Sequence, residues 1–197
     1  MANNVTPARW LGMGWAVFKE DIGNFILITL IAGALASVAN FVVVGPLLAG
    51  MFIAVKRRML YGQTDLMDLF AGFNLFIDAF LIGILTTLFA FVGLLLCLFP
   101  GFIVTAFYLF ACLFLVDRKL GFWDAMESSR RLVVRDLLGY LLFVLLLMLF
   151  NLLGLILLGV GLLVTIPVSV AAIAVAYQEQ VGFMAAPMPA PGPVNIP

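Results

Sequence analysis

The residues able to do chemistry in this chain are few, and they fall in groups. Asp21, Asp78 and Asp136 each stand at the start of a long apolar run, 57 and 58 residues apart. An ionisable group held inside a bilayer is costly and is a functional site by default, so three such carboxylates would mark ion or proton sites. At the first residue of a helix, the same group caps backbone N–H groups and complements the helix dipole. Capping is the simpler expectation for the set. Asp78 is the exception to test, because Leu75, Phe76 and Ile77 precede it and Ala79 and Phe80 follow. With Thr86, Thr87 and Asn151 it makes a candidate intramembrane polar site, although interhelical hydrogen bonds would also account for the three uncharged groups.

Two basic groups are the other candidates. Lys56, Arg57 and Arg58 are consecutive, and Arg130, Arg131 and Arg135 lie beside Ser128 and Ser129. Basic residues next to an anionic leaflet gain about 1 kcal/mol each, so both groups can bind lipid headgroups. The alternative is that they only set topology, with their stems lying along apolar surface. The chain has no histidine, which removes the commonest general base and the usual metal ligand. Cys97 and Cys112 lie inside apolar runs, as small buried hydrophobes do. No nucleophile–base pair, metal cluster or phosphate-binding loop is present, so neither an enzyme nor a cofactor is expected.

The elements that must position these residues follow from charge segregation. Hydrophobic residues make up 65% of the 197 residues and net charge is zero. Lipid is therefore the expected solvent for most of the chain, and nucleic acid is not an expected partner. All twenty charged residues leave three charge-free stretches, 22–55, 79–116 and 137–178. About 20 residues cross a bilayer core of about 30 Å. Each stretch is therefore read as two spans joined by a tight turn, near Ala39–Val43, Gly93–Leu96 and Gly154–Gly161. The fold class expected is all-α: six transmembrane helices as three proline-containing hairpins, with Pro46, Pro100 and Pro167 early in the returning arms, where proline is tolerated.

The hairpins read as pseudo-repeats, about 7–62, 63–121 and 122–182, within one membrane domain, 1–182. Gly62, Gly121 and Gly182 close the returning arms. A short amphipathic stretch precedes each hairpin. Trp10, Leu11, Trp15 and Phe18 share one helical face, with Thr6 and Pro7 as N-cap and first residue. Leu66, Leu69, Phe70 and Phe73 follow, with Asp65 as cap. Phe122, Met126, Ser129 and Val133 line the third. Such helices suit the headgroup layer. Residues 183–197 hold five of the nine prolines and read as an extended tail, a solvated end or a docking peptide.

Every Lys and Arg lies outside the hairpins, on the side of both termini. The positive-inside rule then places both termini in the cytoplasm. The tips, apolar apart from Asn40 and Asn151, either barely emerge or stop within the far leaflet, which would make the protein a wedge. Ala32/Ala36, Gly33/Ser37 and Ala172/Ala176 provide small-residue faces for helix packing or self-association.

GWAVFK, GPLLAGM, DLFAGF, FPGF, FLVDRKLGFWDAMESSRRLV and IPVSVAAIAVAY together resemble bacterial integral membrane proteins of uncharacterised families. These are similar to the membrane region that precedes some glycerophosphodiester phosphodiesterases. The likeness runs to Tyr177 and implies a six-helix domain in the bacterial cytoplasmic membrane. The metal-binding carboxylates and histidines of the phosphodiesterase domain have no counterpart here, so no catalytic residue carries over. The function expected is a non-enzymatic, self-associating or partner-holding membrane scaffold, bilayer-shaping or lipid-interacting. Its partners would be membrane lipids and either a second copy or another membrane protein. The alternative is a channel or transporter for a small or lipidic solute.

Overall fold

A computed structural model describes residues 5–39, 41–96, 98–156 and 160–184, with side chains outside 36–43 and 92–100. Asn40, Cys97 and the proline-rich tail from residue 185 lie outside the described residues. Helices account for nearly all of the rest, and no strand occurs among them. In chain order they are α1 (Pro7–Lys19), α2 (Ile22–Ala39), α3 (Phe41–Tyr61), α4 (Met67–Ala71) with a 3₁₀ turn over Gly72–Leu75, α5 (Phe76–Leu96), α6 (Leu98–Phe107), α7 (Ala111–Arg118), α8 (Phe122–Val134), α9 (Leu137–Ile156) and α10 (Leu162–Gln180). A short helix followed by two long arms thus occurs three times.

Four stretches are long and apolar enough to cross a membrane: Met67–Phe91, Gly101–Arg118, Leu137–Ile156 and Leu162–Gln180. Helix α2 spans 18 residues, of which Ile22–Leu35 have described side chains and form an apolar stretch, and α3 carries Lys56, Arg57 and Arg58 near its C-terminal end at Tyr61. By length and composition, four stretches among the described residues are thus long and apolar enough to cross. The outer face of α9 is apolar and exposed, at Leu138, Met148, Leu153 and Ile156 among others. Such a surface fits lipid and does not suit water.

Local chemistry explains most of the helix ends. Pro100 falls in the first turn of α6, where a missing N–H does least harm. Pro46 and Pro167 fall in the second turn of α3 and α10, inside the helix, where each removes one backbone hydrogen bond. The second turn does not fall at Gly93–Leu96 as the sequence suggests. Helix α5 runs through those residues, and residue 97 alone separates it from α6. Gly62 and Gly182 end their arms with φ of 69° and 78°, a region that glycine enters without strain. In the second arm Lys119 takes the left-handed position, φ 52°, while Gly121 is the extended N-cap of α8. Thr6 occupies the N-cap of α1, but its hydroxyl makes no capping bond. Asp65 does cap, accepting from the Met67 N–H at 2.9 Å.

Packing links the three units in a cycle. Each short helix lies against the returning arm of the unit before it: α4 and its 3₁₀ turn on α3, α8 on α6 and α7, and α1 on α10. The outgoing arms follow the same rule, with α5 on α3, α9 on α6 and α2 on α10. Lipid supplies little hydrophobic drive between helices, so close backbone approach must contribute instead. A Cβ on Gly14 would lie 2.7 Å from the Ala172 Cα, and one on Gly50 would strike the Leu69 backbone. The buried stripe of α1 is therefore Trp10, Gly14 and Phe18, while Trp15 points outward. Of the small-residue pairs, Ala172 and Ala176 are fully buried, whereas a Cβ on Gly33 would meet nothing.

The second returning arm breaks between α6 and α7, over Tyr108–Phe110. Ser129 mends the break. Its Oγ donates to the Phe107 carbonyl at 2.6 Å and accepts from the Phe110 N–H at 3.1 Å. An unpaired backbone group there would be expensive in an apolar surrounding.

Two sets of variants test this packing by thermal unfolding in detergent. Gly14→Ala and Gly50→Ala should each cost about 1–3 kcal/mol through overpacking. Gly12→Ala, where a Cβ meets nothing, should be neutral or stabilising by up to about 1 kcal/mol. Similar losses at all three would contradict the close approaches. Ser129→Ala should cost about 1–3 kcal/mol by stranding the two backbone groups.

Candidate functional site

The charged clusters meet at one end of the helix bundle, and the basic triplet on α3 joins them. Each of its three residues pairs with a different part of the chain. Lys56 Nζ donates to Asp117 Oδ1 on α7 at 2.7 Å. Arg57 Nη1 donates to Asp68 Oδ1 on α4 at 2.7 Å, with Asp65 at 3.7 Å. Arg58 reaches back to the α1–α2 junction, to Glu20 Oε2 at 3.3 Å and Asp21 Oδ2 at 3.7 Å, and also donates to the Gly62 carbonyl at 2.7 Å. The triplet expected to face lipid headgroups is thus largely engaged within the protein.

Asp117 is the centre of this network. Its side chain is 0% exposed. Besides Lys56, its carboxylate accepts from the Tyr177 hydroxyl at 3.0 Å and the Met184 N–H at 3.0 Å. Arg118 Nε lies 3.2 Å from Oδ2. Lys56 also sits over the Phe183 ring, 5.7 Å from its centroid. A buried carboxylate needs this degree of satisfaction, since desolvation costs several kcal/mol per ion. Lys56, Asp117 and Tyr177 are 61 and 60 residues apart. They occupy corresponding places on the three returning arms. The same offsets relate Pro46, Phe107 and Pro167, so the break after Phe107 stands where the other two arms carry proline. Neither Asp117 nor Tyr177 stood out in the sequence. The offset between returning arms would have revealed both.

The second basic group is different. Arg130 and Arg131 both hold Glu127 on the surface of α8, at 2.8 and 2.9 Å. The Arg130 guanidinium first, then that of Arg131, pulls the Glu127 carboxyl down to about 2. Arg135 is exposed and has no ion pair among the described residues. Arg9 on α1 pairs with Glu179 on α10, which also accepts from Trp10 Nε1 at 2.6 Å. This bond ties α1 to α10 where the cycle closes.

The candidate intramembrane residues do not form one site. Asp78 Oδ1 accepts from the Phe122 N–H at 3.2 Å, so it caps α8 rather than its own helix. Asp136 caps α9 through the Gly139 N–H at 3.1 Å. Asp21 accepts from the Asn24 side chain at 3.1 Å. Asn151 joins α9 to α10, donating to the Leu147 carbonyl and to Ser169 Oγ, both at 2.8 Å. Thr86 and Thr87 instead line a cavity of about 290 Å³ between α3, α5, α7 and α10, with Phe52, Ile82 and Cys112 among its walls. The Thr86 hydroxyl is buried there and has no partner among the described residues.

A second cleft, of about 550 Å³, opens at the charged end between α3, the 3₁₀ turn and α7. Lys56, Arg57 and Lys119 border it over a floor that includes Ile53, Leu75 and Val116. Lys119 was not among the expected site residues, and its exposed ammonium has no carboxylate partner among the described residues. No group of three or more potential metal ligands occurs among the described residues. No protein-family model, curated protein or solved structure matches the chain.

The Asp117 network predicts a non-additive pattern of stability. Asp117→Asn should cost about 3–5 kcal/mol, because it leaves Lys56 confined without its counter-charge. Lys56→Met combined with Asp117→Leu should recover most of that loss, since apolar replacement of a whole buried pair is often neutral. Unfolding of Lys56→Met, of Asp117→Leu and of the two combined measures it. Additive losses would mean the two charges do not act as a pair.

Proposed function

We propose that the chain is a membrane-embedded, non-enzymatic scaffold that shapes or organises the bilayer around it. In this reading six spans form three hairpins in the bacterial cytoplasmic membrane, with both termini in the cytoplasm. The resemblance of the quoted motifs to bacterial membrane families supports that location. The carrying observation is the cyclic placement of the three short helices, each lodged on a neighbouring returning arm. They add bulk near the end that holds the ion pairs, and nothing comparable is added at the hairpin tips among the described residues. A body wider in one leaflet favours curvature toward the other. The exposed apolar face of α9 is then the lipid boundary or a contact with a second copy.

Transport of a small or lipidic solute is the alternative. The cavity beside the Thr86 hydroxyl, which has no partner among the described residues, favours it. Neither Asp78 nor Asn151 lines that cavity; Asp78 accepts from the Phe122 N–H and the Asn151 amide donates to Ser169.

Single cysteines in a background lacking Cys97 and Cys112 test the topology. Lys19→Cys and Lys119→Cys should react with an impermeant maleimide from the cytoplasmic side only, and Asn40→Cys should not. Labelling of Asn40→Cys from the cytoplasm would remove the first hairpin. Native mass measurement in nanodiscs, with imaging of reconstituted vesicles, tests the scaffold. The expected result is an assembly or lipid-retaining particle that narrows the vesicles. A bare monomer in unchanged vesicles, with solute flux, would favour transport.

A further inference from the structure

We infer that the charged cleft and the apolar cavity are two ends of one binding site for a single anionic phospholipid. Its phosphate would sit among Lys56, Arg57 and Lys119, with an acyl chain running inward past Phe52 and Cys112 toward Thr86. The inference rests on the reading of the chain as membrane-embedded.

Three elements carry both cavities in the same order. On α3, Phe52 lines the inner cavity and Lys56, one turn on, lines the cleft. On the α7 side, Cys112 lines the cavity and Val116, one turn on, lines the cleft. Ile82 of α5 lies inward, while Leu75, two turns before it, belongs to the cleft. The cavities are therefore stacked along one crevice, with cations at its charged end only. From Lys56 to Val44 is twelve residues, about 18 Å of helix. That compares with the hydrocarbon depth of one leaflet, about 15 Å. The exposed side chains of Val44 and Ile84 line the inner cavity, so it opens sideways, where a lipid chain can enter.

The cations are held ready for a phosphate. Asp117 fixes Lys56 and Asp68 fixes Arg57. An ammonium has three donors and a guanidinium five, so each retains N–H groups beyond its carboxylate. Lys119 contributes a charge with no ion pair among the described residues. The Asp68 carboxylate also borders the cleft, but it is engaged by Arg57 and by the Asp65 N–H at 3.3 Å. The Asp117 carboxylate is wholly covered. A soluble phosphate would find the cations but leave the apolar floor and the cavity beneath it empty. An amphiphile uses both.

The full chain in nanodiscs tests this by native mass measurement, with phosphatidylglycerol, phosphatidylcholine of the same chains, a short-chain phosphatidylglycerol and glycerol phosphate as probes. Long-chain phosphatidylglycerol should be retained over phosphatidylcholine. Lys119→Glu and Asn74→Glu, both at exposed positions, should weaken retention about fivefold or more. Thr86→Phe should weaken the long-chain lipid and spare the short-chain one. Equal retention of both headgroups, no effect of either charge change, or displacement of the lipid by glycerol phosphate as effectively as by phosphatidylglycerol would overturn the site. Release of the chain from native membranes by carbonate would overturn the membrane reading beneath it, a separate outcome.

Discussion

A carboxylate that no solvent can reach must be answered by the protein itself, and Asp117 sets that condition for this fold. Its oxygens have four partners drawn from α3, from α10, from the segment just after α10 and from its own helix. Coulomb attraction strengthens as the local dielectric falls, and so does the penalty for a missing partner. The three returning arms are therefore bound to converge. Lys56, Asp117 and Tyr177 supply a cation, an anion and a neutral donor at matching places on those arms. The repeat has kept the position and varied the chemistry, which lets one arm satisfy another.

Around that point the remaining contacts are mostly steric. Glycine and alanine at Gly14, Gly50 and Ala172 allow the short helices to lie against backbone. Aromatic rings fill the space between, with Trp10 packed on Phe143 at 5.0 Å and Phe114 on Tyr177 at 5.1 Å. The second unit departs from its fellows in two places, the broken arm after Phe107 and the left-handed Lys119. Both departures carry a specific consequence: Ser129 is recruited to mend the first, and the second places the Lys119 ammonium, which has no ion pair among the described residues, beside the cleft.

Much of the architecture was legible in the sequence because lipid and charge do not mix. The runs 22–55 and 137–178 became pairs of helices, 79–116 became α5 with the broken arm of α6 and α7, and an amphipathic stretch before each became a short helix. The buried face of α8, Met126, Ser129 and Val133, was readable from spacing alone. Partner choice was not legible. Asp78 looked isolated because its partner, the Phe122 N–H, lies 44 residues on. Lys56, Arg57 and Arg58 looked like one basic patch because adjacency along the chain hides that successive helical residues point in different directions. Lys119 went unnoticed because no local pattern marks a charge as lacking a partner.

The seam between α1 and α10 has a bearing on biosynthesis. Helix α1 leaves the ribosome before α10, which provides its seat, the surface around Ala172 and Glu179. Throughout translation the buried stripe of Trp10, Gly14 and Phe18 has no native place to rest. A nascent chain carries that stripe uncovered until α10 emerges. A stalled chain would keep it bare, which gives quality control a simple mark by which to tell unfinished copies from finished ones.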